Sequence, residues 1–143
     1  MNKISDFMAN DHRACDALFA NAEEHVGNGE WTKGSTNFNA FLAAMQRHFS
    51  IEEEILFPAF DKKTGMEMGP TFVMRSEHRQ MNKVFDDMRQ ALDAKDSDTY
   101  LGLSETLLML MQQHNMKEEQ MLYQMMDQHL AADAPALLKQ IMP

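Results

Sequence analysis

Cysteine is almost missing from this chain: Cys15 is the only one in 143 residues. A single thiol excludes an intramolecular disulfide and a thiolate-rich metal site built from one chain, and it fits a reducing compartment. Positive charge is scarce as well, with 13 Lys and Arg against 22 Asp and Glu and a formal net charge of −9. That balance argues against a nucleic-acid groove and against adhesion to an anionic membrane. No apolar run is long enough to span a bilayer, and the opening MNKISDFMANDHR lacks the apolar stretch of a signal peptide. The expectation is a cytoplasmic chain, monomer or homodimer, forming one domain over 1–143 that can bury a core without cross-links. Alternating β-branched runs are missing too, so no strand competes with a helical reading.

Glycine and proline, few in number, cluster at breaks. VGNGEW (26–31) separates a first helix near 3–26 from a second near 32–60, and Trp31 is read as a loop residue capping one end of the core. DKKTGMEMGP (61–70) ends the second helix, and Pro70 suits the first turn of a third. DAKDSD (93–98) breaks the third and offers Asp96, Ser97 or Asp98 as N-cap of a fourth. ADAP (132–135) closes the fourth and leaves room for a short C-terminal helix. Short connections make successive helices antiparallel, so the fold class is all-α, an up-down-up-down four-helix bundle.

Spacing of three and four residues marks the core face of each helix. The first gives Ser5, Met8, His12, Cys15, Phe19, Ala22 and Val26. The second gives Phe38, Phe41, Met45, His48, Glu52, Ile55 and Ala59. The third gives Thr71, Met74, His78, Met81, Phe85, Met88 and Leu92. The fourth gives Ser104, Leu107, Met111, His114, Glu118, Met121 and Met125. Fifteen methionines read as adaptable core filling.

Each apolar stripe carries a histidine near its middle, and the pattern repeats at an offset of 66 residues. DHR (11–13) aligns with EHR (77–79), and HFSIEEEILF (48–57) with HNMKEEQMLY (114–123). His12, His48, Glu52, His78, His114 and Glu118 therefore point inward together. An unpaired buried carboxylate costs several kcal/mol, on the order of the whole stability of a small domain. Two carboxylates and four imidazoles in one layer are tolerated only if they satisfy one another in a metal-free hydrogen-bonded network or bind a cation, and a cation is the expected reading. Residues four apart lie about 40° apart around a helix and roughly 6 Å along it, so each His-x3-Glu pair can serve one metal or bridge two. Two metals would each take two histidines and one oxygen from each glutamate, with an oxo or hydroxo bridge between them. Imidazole and carboxylate without thiolate suit iron, manganese or zinc.

The chain resembles the hemerythrin-like HHE cation-binding domains over residues 5–130, with HFSIEEEILFP (48–58) matching their second-helix motif. The resemblance implies a non-haem di-iron centre that handles O2, nitric oxide or peroxide as carrier, sensor or scavenger. Two alternatives stay open: a repair or iron-donor factor for iron–sulfur centres or another di-iron redox enzyme, and a bundle with a structural zinc or manganese site. Oxygen-carrying members have His-x3-His on the third helix, where this chain has Met74-x3-His78, and His-x4-Asp on the fourth, where it has His114-x3-Glu118. A thioether is a poor ligand for hard iron, so Met74 is expected to pack, leaving an extra exchangeable position. The repair proteins carry a cysteine-bearing N-terminal segment that this chain does not show.

Glu53 and Glu119 also repeat, about 140° around the helix from their histidines, and are read as surface residues or as partners behind the ligands. Asp16 and Asn82, four residues after His12 and His78, are candidates to orient those imidazoles. His25 and His129 lie off the stripes and are read as surface histidines, and Cys15 as a small buried hydrophobe.

Overall fold

A computed structural model describes residues 3–143. Four long helical stretches run antiparallel, and among the described residues there are no strands. Helix α1 is Ile4–Gly27. The second stretch comprises α2 (Trp31–Ser50), a π-helical segment (Ile51–Leu56) and α3 (Phe57–Thr64). The third is α4 (Pro70–Asp93). The fourth comprises α5 (Ser97–Lys117), a second π segment (Glu118–Leu122) and α6 (Tyr123–His129). A short α7 (Ala134–Ile141) folds back over one end. Helix α1 packs against α2 and α5, and α4 against α2 and α5, which closes a ring of four.

The ends follow from local chemistry. Gly65 terminates α3 at φ 72°, a left-handed position that suits glycine. Asp96 caps α5, accepting from the Thr99 amide at 3.1 Å. Trp31 begins α2 instead of lying in the loop, and packs half-buried on the core as expected. The first turn of α1 is satisfied from across the bundle: the Ser5 amide donates to Asp127 Oδ1 at 3.2 Å, and its hydroxyl bonds the other oxygen. A buried Asp61 ties the α3–α4 connection, accepting from Thr71 Oγ1 at 2.6 Å and Arg75 at 3.2 Å. No described helix is long and apolar enough to cross a membrane.

The core has two apolar masses. One gathers Phe19, Phe38, Phe41, Phe85, Met88, Tyr100 and Leu107. The other gathers Ile4, Met8, Leu56, Phe57, Phe60, Met74, Leu122, Met126 and residues of α7. Between them lies the polar layer. The stripes of α1 and α4 run as their spacing indicates, from Ser5 to Val26 and from Thr71 to Leu92.

The other two stripes fail past their glutamates. Ile55 and Ala59 are only half-buried, while Leu56, Phe57 and Phe60 are core. Met121 is 53% exposed and Met125 half-buried, while Leu122, Tyr123 and Met126 are core. The cause is the π segments. Phe57 N–H donates to the Glu52 carbonyl and Tyr123 N–H to that of Glu118, each five residues back. Such a bond accommodates one extra residue and turns everything downstream by one position. In the first case Pro58 follows immediately; it has no N–H and crowds the carbonyl four residues earlier. In the second, Gln124 Nε2 donates to the Glu119 carbonyl at 3.2 Å, satisfying backbone that the widened turn frees.

This register makes a testable contrast. Leu122→Ala should cost about 2–5 kcal/mol, whereas Met121→Ala should stay within about 0.5 kcal/mol. Urea denaturation of both variants checks it; the reverse order would restore an uninterrupted α-helix.

Candidate metal centre

All six residues singled out by the repeat meet in the layer between the two apolar masses. His12, His48, His78 and His114 are at most 4% exposed, and Glu52 and Glu118 are fully buried. They form two imidazole pairs. The rings of His12 and His48, from α1 and α2, stand 4.7 Å apart; those of His78 and His114, from α4 and α5, stand 5.0 Å apart. The glutamates lie between the pairs. Glu52 Oε1 is 3.0 Å from His78 Nε2, and its Oε2 is 3.6 Å from His48 Nε2. Glu118 Oε1 is 3.0 Å from His12 Nε2, 3.2 Å from His114 Nε2 and 4.0 Å from His48 Nε2. Each carboxylate thus faces both pairs.

Helical spacing of four residues from His48 and His114 brings the glutamates there, and the π segments begin at or just before them. Each glutamate opens its widened turn or sits at its second position, one helical turn beyond its histidine, and accepts the five-residue backbone bond. Segments of this kind recur at functional sites.

Every imidazole turns its other nitrogen to a carboxylate. His12 Nδ1 meets Glu119 Oε2 at 2.7 Å and His78 Nδ1 meets Glu53 Oε2 at 2.5 Å. His48 Nδ1 meets Asp11 Oδ2 at 2.7 Å and His114 Nδ1 meets Glu77 Oε1 at 2.8 Å. With Nδ1–H donated outward, Nε2 presents its lone pair to the centre, the arrangement that fixes metal-binding imidazoles. The two halves use the same device, since Asp11 aligns with Glu77 and Glu53 with Glu119. Glu53 and Glu119 therefore stand behind the histidine–glutamate layer. Asp16 and Asn82 do not take the orienting role: Asp16 lies exposed, and the Asn82 side chain accepts from Gln46. The residues that do, Asp11 and Glu77, immediately precede His12 and His78 but serve histidines on neighbouring helices. The repeated Asp/Glu-His pair carried that signal.

A second participant escaped sequence reasoning. The hydroxyl of Tyr123, fully buried, lies 2.6 Å from Glu52 Oε2 and 2.8 Å from Glu118 Oε1 and can give its one proton to either. Burial and the two carboxylates hold its pKa well above the usual phenol value. Met74 is 3% exposed within the apolar mass beside the layer. Burial pushes the Cys15 thiol up to about 11, so it is an unreactive core residue. His25 pairs with Glu30 at 3.0 Å, and His129 is exposed against the edge of Phe60.

Do these donors fit a cation? Glu52 Oε1, His78 Nε2, His114 Nε2 and Glu118 Oε2 are all buried and make no well-directed hydrogen bond, although Glu52 Oε1 and His78 Nε2 lie 3.0 Å apart and His114 Nε2 lies 3.2 Å from Glu118 Oε1. The same four residues offer ligand atoms within 4.8 Å of one another, and His12, His48 and Glu118 form a second such group. Several buried polar atoms orphaned around one point are costly unless a cation accepts their lone pairs. The pattern of a hemerythrin family model, described as the hemerythrin HHE cation-binding domain, matches residues 3–126. The chain belongs to that family. No match was found among curated proteins or among solved structures. Membership and the buried His/Glu cluster together make this hemerythrin-like chain a metal-binding bundle.

Without a cation, protons take its place. Burial opposes charge on His114, yet Glu118, Glu52 and Glu77 together outweigh it and raise the imidazole to about 9. His48 is likewise held well above its usual value, burial being outweighed by Glu52 and by hydrogen bonds to Asp11 and Glu118. A protonated imidazole cannot ligate, so metal uptake must expel these protons. Affinity in this hemerythrin-like site should therefore rise as pH is raised toward about 9, and proton release per metal should fall; calorimetry in buffers of different ionisation enthalpy measures both. Chelation should lower the thermal midpoint while leaving the helical spectrum in place, because both apolar masses persist. Equal midpoints would mean that the polar layer satisfies itself.

Proposed function

We propose that this chain is a non-haem di-iron protein that takes O2, nitric oxide or peroxide as a small ligand, as carrier, sensor or scavenger. The observation that carries the reading is the placement of two imidazole pairs on either side of two shared carboxylates. His12 and His48 would hold one ion, His78 and His114 the other, and Glu52 and Glu118 would bridge. A nitrogen- and oxygen-donor set without thiolate suits iron among redox-active metals, and the family membership favours a dinuclear centre. Bound iron would supply a redox-active Lewis acid with positions that a diatomic molecule can exchange into.

The surrounding residues prepare that chemistry. Asp11, Glu53, Glu77 and Glu119 fix the imidazole tautomers, while Phe49, stacked 3.9 Å from His78, and Phe57 keep water from that pair. Met74, four residues before His78, supplies hydrocarbon and sulfur packing in place of a further imidazole. That leaves the His78 side with more exchangeable positions, which favours reaction over reversible carriage.

Elemental analysis of iron-reconstituted protein should approach two equivalents per chain. Glu52→Ala and Glu118→Ala should each lose at least one equivalent. His12→Ala should weaken mainly one. Glu119→Ala should keep both, with affinity reduced on the order of 10–100-fold. In stopped-flow spectra the reduced protein should autoxidise quickly in air and bind nitric oxide, and Met74→His should autoxidise more slowly. A plateau at one equivalent, or a protein that binds only colourless zinc, would overturn the di-iron reading; stable reversible oxygenation of the wild type over hours would make it a carrier.

A further inference from the structure

The two halves of the centre match donor for donor except at one position. Under the 66-residue offset Phe57 corresponds to Tyr123, and each ring lies beside the corresponding imidazole. Phe57 is 5.9 Å from His78 with 19° between planes, and Tyr123 is 5.5 Å from His12 with 30°. Where one half ends in a hydrocarbon edge, the other presents a hydroxyl.

That hydroxyl is surrounded by four polar atoms of the histidine–glutamate layer. It lies 2.6 Å from Glu52 Oε2, 2.8 Å from Glu118 Oε1, 3.2 Å from His12 Nε2 and 3.3 Å from His48 Nε2. Both imidazoles commit Nδ1 to Glu119 and Asp11, so once metal uptake has expelled the imidazole protons their Nε2 atoms turn lone pairs toward the phenol. A phenol carries one proton and can donate it once. Four acceptors around one donor oxygen are answered better by a cation than by that proton. The four atoms are also those that His12, His48 and the shared carboxylates would offer an ion, so a cation drawn between them meets the phenol oxygen.

We propose that Tyr123 is itself a ligand, as phenolate, of the cation held by His12 and His48. It closes that half of the centre with a protein oxygen and leaves the His78–His114 half, walled by Phe57, as the side where a small ligand binds. The proposal rests on the two-metal reading above. Coordination replaces the phenol O–H bond by an oxygen–metal bond, and the proton leaves to solvent with metal uptake; no electron moves.

The chain has only two tyrosines, and Tyr100 lies in the other apolar mass among Phe38 and Leu107. Full-length protein loaded with iron(III) should show a visible tyrosinate-to-iron charge-transfer band and phenolate ring modes in its resonance Raman spectrum. Tyr123→Phe should lose band and modes while retaining two iron equivalents, and Tyr100→Phe should keep them. Wild-type protein with two irons and no tyrosinate signature would overturn the proposal and leave the di-iron reading standing, and that spectrum decides even if Tyr123→Phe fails to fold. A signature surviving Tyr123→Phe would also overturn it. Protein that takes up no iron would remove both readings.

Discussion

An ionised carboxylate in an apolar interior costs several kcal/mol unless positive charge and hydrogen bonds compensate it, and removing one partner of such a pair costs about 3–5 kcal/mol. Glu52 and Glu118 both sit fully buried in the middle of the bundle, so the neighbouring helices are arranged around them. Each glutamate faces one imidazole from its own stretch and at least one from another. The apolar masses above and below hold the helices at the spacing this layer requires. Remove the requirement, and neither the recurring histidines nor the widened turns have a physical reason to exist.

Widening the helix at Ile51–Leu56 and Glu118–Leu122 reconciles two demands. Upstream, His48 and His114 must face inward on the face that also carries Phe41, Met45, Leu107 and Met111. Downstream, Leu56, Phe57, Phe60, Leu122, Tyr123 and Met126 must reach the second apolar mass. A straight helix would present Ile55 and Met121 there instead. The extra residue in each turn puts Phe60 inside in place of Ala59 and delivers Phe57 and Tyr123 to the edge of the polar layer.

Much of this is readable from residue order alone. In α1 and α4 nothing interrupts the 3.6-residue period, so the core positions from Ser5 to Val26 and from Thr71 to Leu92 follow from spacing, with Ala91 joining Leu92 at the end of α4. The six inward histidines and glutamates are legible because an unpaired charge on an apolar stripe is conspicuous and occurs twice in register. The register shift is not, since Ile55 and Leu56, like Met121 and Leu122, are apolar neighbours and either could be core. Pro58 inside a helical run was the available warning. Asp11 and Glu77 were hidden for another reason: they act across helix interfaces, on His48 and His114, and sequence neighbours on one helix do not reveal that. Asp16 and Asn82, sought on the same helix as their histidines, illustrate the failure.

The outer carboxylates have an effect beyond orientation. Glu53 and Glu119 have side chains 41% and 36% exposed, yet each touches a buried imidazole directly. Asp11 and Glu77 are more sheltered and lean on Arg47 and Lys117. Every imidazole is thus one hydrogen bond from a group in contact with water. A gain or loss of charge at the centre of the bundle can be balanced by a proton moving at its surface, across a single side chain and without parting the helices. The interior is dry, but for protons it is not isolated.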